Sequence, residues 1–137
     1  MNYNNMDNSL RIMLYILPLL TNSNELNQIM DTNNIIAIVQ NPDIQYPFVV
    51  FDRSSITTTY TKPMAGSFTN DVVFTFTVWD EDYVRSVEIA NIIRDILELR
   101  EIDNEEIRIN EIHLDSANEG YANDAYFQSL QFRTKVE

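Results

Sequence analysis

The most regular stretch of the chain alternates. Across residues 71–79, Phe74, Phe76 and Val78 fall on one side and Thr75, Thr77 and Trp79 on the other. That period of two predicts a strand with one face against a core. At Asp80 the period changes to 3.6. Val84, Val87, Ala90, Ile92, Ile93, Ile96, Leu97 and Leu99 form a wide apolar surface, with Glu88, Asn91, Asp95 and Glu98 as the polar stripe. A surface this wide suits a helix laid across a sheet. Burying about six such side chains contributes on the order of 10 kcal/mol before conformational entropy is counted. The junction between the two periods reads WDEDY. Asp80 or Asp82 is predicted to cap the helix. The remaining acids sit in its first turn, where the dipole favours negative charge by about 0.5 kcal/mol each.

The flanking pattern supplies the other elements. Ser9 is expected to cap a first helix in which Ile12, Tyr15, Ile16 and Leu19 recur at helical spacing. Pro18 should kink or end it. Residues 25–30 can add one or two turns. A short β-branched run at 35–39 and a longer one at 48–59 read as strands. Residues 60–70 hold Pro63 and Gly66 and read as the loop of an antiparallel hairpin. Ile107 and Ile109 alternate on one parity and Ile112 and Leu114 on the other, which predicts a β-bulge near Asn110. Residues 116–123 (SANEGYAN) read as a loop. The last strand follows over 125–136, with Leu130, Phe132, Thr134 and Val136 on one face and Gln131, Arg133 and Lys135 on the other. The sum is an α+β fold: a mainly antiparallel β-sheet of four to five strands, one long helix packed across it, and an N-terminal helix. It forms a single domain over 9–137 behind a flexible stretch at 1–8.

Composition narrows the chemistry. A chain of 137 residues, 45% hydrophobic, is long and apolar enough for one real core. It has no cysteine, so neither disulfides nor thiolate chemistry arise. Gly66 and Gly120 are the only glycines, which rules out a Gly-rich phosphate loop. The apolar run at 10–20 is too short to span a bilayer and is interrupted by Pro18. The residues before it carry no base, unlike a signal peptide. His113 is the single imidazole and has no nucleophile motif beside it, so a strand position outweighs a catalytic base. A zinc site lacks partners. The acids of DED and DNEE lack the pattern of a calcium loop, and the helix-cap reading of DED outweighs the metal reading. Paired carboxylates for hydrolysis stay open, though nothing singles out a pair. A net charge of −12 repels nucleic-acid backbones and anionic membranes. The bases are scattered, with no basic stripe.

Several phrases in order carry a resemblance: YPFVVFDRSSITTT, then DVVFTFTVWDEDYVRSVEIANIIRDIL, then LDSANEGYANDAYFQSLQFRTKV. From about Ile35 to Val136 the chain resembles the tail-completion or tail-terminator family of long-tailed bacteriophages. The resemblance implies a structural virion protein rather than an enzyme, with no cofactor and no metal. It implies a homo-oligomeric ring, usually a hexamer, with a dodecamer as the alternative. The ring caps the tail tube, ends its polymerisation and joins tail to head while double-stranded DNA passes the lumen without specific binding. Tail-tube and head-connector or neck proteins are the implied partners, with no membrane involved. The implied location is the tail or neck of the virion, assembled in the bacterial cytoplasm. On that reading the two loops offer interface candidates in Tyr60, Lys62, Met64, Phe68, Tyr121 and Asp124. The mixed face adds Gln131, Arg133 and Lys135, and Asp80, Glu81 and Asp82 are candidates for an acidic lumen or the helix cap. The alternatives are a head-closure or connector ring, a small acidic immunity- or antitoxin-like binding protein, and a hydrolase using paired acids.

Overall fold

The computed structural model describes residues 9–37, 44–60 and 68–137. Its centre is the expected hairpin. Strands β2 (Phe48–Tyr60) and β3 (Phe68–Asp80) pair antiparallel from Phe48↔Trp79 to Tyr60↔Phe68, with one register shift between Arg53 and Ser55. The β-branched threonines carry the pairing to Tyr60, and Phe68, Thr69 and Asn70 open β3. These positions therefore belong to strands and not to the expected loop. On its other edge β3 pairs with β7 (Ala125–Val136), from Asn70↔Val136 to Asp80↔Tyr126. A short β1 (Ile35–Ala37) joins β2 in parallel.

The alternation is realised as read. Val72, Phe74, Phe76 and Val78 of β3 are buried, as are Leu130, Phe132, Thr134 and Val136 of β7. Phe74 stacks on its cross-strand partner Phe132 at 5.5 Å, and Phe76 meets both rings edge-on at 6.0 and 6.4 Å. Rings in this arrangement add about 0.5–1.5 kcal/mol per pair beyond the area they bury.

Among the described residues three α-helices contribute to the core on this face. Helix α1 (Ile12–Thr21) buries Ile12, Ile16 and Leu20, and α2 (Asn24–Ile29) buries Leu26. Ser9 does not cap α1. It is buried in a turn over residues 9–11, the cap position is Arg11, and no side chain caps it. Pro18 lies inside α1, which runs on to Thr21. The principal helix, α3 (Tyr83–Leu97), crosses β3 and β7 and buries Ser86, Ile89, Ala90, Ile93 and Leu97. It is fifteen residues, about 22 Å, so shorter than expected. It stops because Leu99 turns to φ 63° and its N–H donates to Ile112 O at 2.6 Å, while Ile112 N–H donates to Arg100 O at 3.0 Å. The buried stripe is also narrower than the sequence suggests. Val84, Val87 and Leu99 are exposed.

The sheet contains seven strands among the described residues, in the order β1-β2-β3-β7-β5-β4, with β6 also on β7. The excess over four to five has two sources. Strands β4 (Ile102–Asp103) and β5 (Arg108–Ile109) are two residues each. Residues 116–122, read as loop, are instead most of β6 (His113–Ala122). Strand β6 forms a hairpin with β7 through Asn123 and Asp124, whose φ values of 53° and 61° are those of a type I′ turn. Both faces of β6 are largely exposed, so it has no apolar alternation to read. Strands β5 and β6 lie along the same edge of β7, and the register advances by one residue between Ile109↔Val136 and His113↔Arg133. The expected phase slip near Asn110 is this interruption. The carbonyls of Asn110 and Glu111 accept from Thr134 Oγ1. A second shift falls between Leu114 and Ser116.

Candidate functional site

The acidic junction resolves into three different roles. Asp80 ends β3 and is fully buried. Its carboxylate receives two hydrogen bonds from one guanidinium, Arg85 Nε to Oδ2 at 2.6 Å and Nη2 to Oδ1 at 2.8 Å. It also accepts from the Asp82 backbone N–H at 3.0 Å. The hydrogen bond to Asp80 raises the Arg85 guanidinium above its ordinary range, with the charges of Asp80, Asp82 and Glu81 adding to the effect. Asp82 is the cap of α3, accepting from Arg85 N–H. Glu81 is exposed. Asp80 is therefore withdrawn from the surface of the chain and ties the end of the strand to the helix's first turn through a bidentate contact.

A second constellation sits beside that turn, at the tip of the β6–β7 hairpin. Glu119 and Gln128 are cross-strand partners, as are Tyr121 and Tyr126. Tyr83, the first residue of α3, donates its hydroxyl to both oxygens of Glu119, at 2.9 and 3.2 Å. Gln128 Nε2 donates to Glu119 at 3.2 Å and lies 3.4 Å from Ser86 Oγ, which in turn donates to Tyr83 O. The ring of Tyr126 stands roughly perpendicular to two others, Tyr83 at 5.3 Å and Tyr121 at 4.9 Å. The hydrogen bond to Glu119 and the carboxylate's charge raise the Tyr83 phenol above the ordinary tyrosine range. Tyr83 and Tyr121 are 42% and 60% exposed, so the group is a surface feature.

On the other face of the sheet an aromatic row crosses three strands. Tyr46 stacks on Phe48 at 5.4 Å, Phe48 on Trp79 at 6.4 Å, and Trp79 meets Phe127 at 5.1 Å. Gly120 lies opposite Phe127, and a Cβ there would stand 2.5 Å from the Phe127 ring. Further along, Gln131 and Arg133 both donate to Asp115 of their own chain, at 3.2 and 3.3 Å. Lys135 is exposed and, with Asp71, His113 and Arg133, lines a cavity of about 320 Å³. His113 is exposed and 3.6 Å from Glu111.

The structure thus places the sequence candidates unevenly. Tyr121 joins a cluster with Tyr83, Tyr126 and Glu119, none of which the sequence singled out for this role. Asp124 is an exposed turn residue. Tyr60 and Phe68 form the last pair of the β2–β3 hairpin, and Lys62 and Met64 lie outside the described residues. The one local signal for the cluster was Asn123-Asp124, a two-residue turn of the I′ type, which should have marked its flanks as a hairpin. Among the described residues there is no group of three or more His, Asp or Glu side chains that could hold a metal ion, and no helix long and apolar enough to cross a membrane.

No protein-family model and no curated protein matches the chain. Solved structures do match. One is a chain from the structure "Virion of native gene transfer agent (GTA) particle", which superposes with a TM-score of 0.75 over 89% of this chain and 91% of that one, at 14% identity. The two chains share a fold across nearly their full lengths.

Proposed function

We propose that this protein is a structural component of a tailed, phage-like particle, acting as the tail terminator or as an adjoining ring of the neck. One observation carries the proposal. The fold shared with the gene transfer agent chain is nearly coextensive with both molecules, so it is the whole subunit that corresponds and not an isolated motif. The order of strand, acidic junction, helix and closing strand supports the same reading.

On this reading the protein is a binding and assembly subunit and catalyses nothing. The most conspicuous acids are used internally, Asp80 on Arg85 and Asp82 on the helix N-terminus. The subunits form a ring, six being the expected number. The ring caps the tube, stops its growth and presents a docking surface to the neck. A net charge of −12 lets DNA pass without adhering. The twisted sheet supplies a rigid frame, and the polar hairpins at its margins supply contacts that each contribute little but recur in every subunit.

The test is assembly with the tail-tube protein of the same particle. Adding the purified chain to growing tubes should halt them and leave a ring at one end in negative-stain images. Rings that bind the head connector and ignore tubes would shift the role to head closure. A strict monomer that binds neither tube nor connector would overturn the proposal.

A further inference from the structure

The tip of the β6–β7 hairpin combines three features that solubility alone does not require. Glu119 is an anion held in place by neutral donors, Tyr83 and Gln128. No described basic side chain pairs with it, although Arg85, Arg94, Arg108 and Arg133 each have an acidic partner. Around it stand the rings of Tyr83, Tyr126 and Tyr121, with Tyr126 inclined at 72° and 64° to the other two. Beside them the first turns of α3 expose Val84 and Val87, at 61% and 38%. A fixed carboxylate, steeply inclined ring faces and an apolar margin are the features by which a cation on an aliphatic stem would be recognised.

We propose that this shelf receives a cationic side chain, by preference an arginine, from an exposed segment of a partner protein. Arginine fits better than lysine because its planar group stacks on a tyrosine face while its N–H fork reaches the carboxylate. The partner is a basic protein, because a chain that carries −12 attracts a surface of opposite charge. The raised pKa of the Tyr83 phenol agrees, since it reflects first the hydrogen bond to Glu119 and then the charge of that carboxylate. The site follows from the hairpin's geometry and does not depend on the virion reading.

Titrating the full chain with acetyl-Gly-Arg-Gly-amide, followed by nuclear magnetic resonance of the tyrosine rings, tests the site. The arginine peptide should shift the rings of Tyr83, Tyr121 and Tyr126 saturably, and the shift should weaken as salt is added. The same peptide with neutral citrulline in place of arginine should bind at least about fivefold more weakly. So should arginine peptide on Glu119→Gln, which keeps the shape of the site, and on Tyr121→Ala, which removes an exposed ring. Circular dichroism confirms that both variants fold. Absence of saturable shifts in the wild type, equal binding of the citrulline peptide, or undiminished binding by Glu119→Gln would each overturn the proposal.

Discussion

Strand β7 has β3 along one edge and β6 along the other, both antiparallel, yet the two neighbours do opposite work. Strand β3 sends Val72, Phe74, Phe76 and Val78 into the core, all with no exposed surface. Strand β6 has no fully buried residue and carries Asp115, Asn118, Glu119 and Tyr121 on its two open faces. The backbone ladder is the same kind of interaction in each case, so it cannot be what distinguishes them. The difference is apolar area removed from water, which makes β3 the stabilising partner. Because β6 contributes little to the core, its side chains are free to serve the surface. The tyrosine–carboxylate shelf stands on this exposed strand.

The sharpest way to break this contrast is to truncate a side chain on each strand. Phe76→Ala should cost about 3–5 kcal/mol in urea unfolding, whereas Tyr121→Ala on β6 should stay within about 0.5 kcal/mol. Equal losses would mean that β6 carries more of the fold than its exposure suggests. The strand–helix junction comes next. Arg85→Ala leaves the Asp80 carboxylate buried with only a backbone N–H, and should cost about 2–3 kcal/mol. That is below the figure for a fully buried pair, because the Arg85 side chain is 40% exposed. Arg85→Lys should restore only part, since an ammonium cannot make the bidentate contact.

One position on β6 should behave like β3. Gly120→Ala places a Cβ about 2.5 Å from the Phe127 ring, and should cost about 1–3 kcal/mol unless that ring swings aside. It marks a point where β6 is closely packed.

The smallest effect is a titration. The Tyr83 pKa is raised, so the native state holds that proton above the unfolded value of about 10. The stabilisation is therefore complete below that value and is lost as pH rises through the native pKa. Ring carbon resonances should show Tyr83 titrating above pH 10 in the wild type, and moving towards the ordinary value in Glu119→Gln. An unmoved Tyr83 would remove Glu119 as the cause.

What could be read in advance follows the same division. Alternation in β3 and β7 was legible because one face of each strand is buried, and burial writes a period of two into the sequence. The switch to a helix at Asp80 was legible for the same reason. The separate roles of Asp80 and Asp82 were not, because either acid satisfies the spacing rule for a cap. Only the approach of Arg85 decides which of them is withdrawn from water. Most of strand β6, residues 116–122, was missed because a polar edge strand looks like a loop, and the turn residues Asn123 and Asp124 were the one clue to it. The shelf was beyond reach because Tyr83 and Glu119 are joined only by the way α3 crosses the hairpin. The overestimated helix surface has a similar origin: Val84, Val87 and Leu99 fit the apolar pattern but extend past the sheet that would cover them.

The central claim is that this chain is built into a phage-like particle. Particles purified from cells that produce it, freed of soluble protein and analysed by quantitative mass spectrometry, test that claim most directly. The account predicts its peptides at a fixed low ratio to the tail-tube protein, about six copies per particle if the ring is a hexamer, retained through a density gradient. Its complete absence from intact, full-length particles, with all of it left in the soluble fraction, would contradict the account.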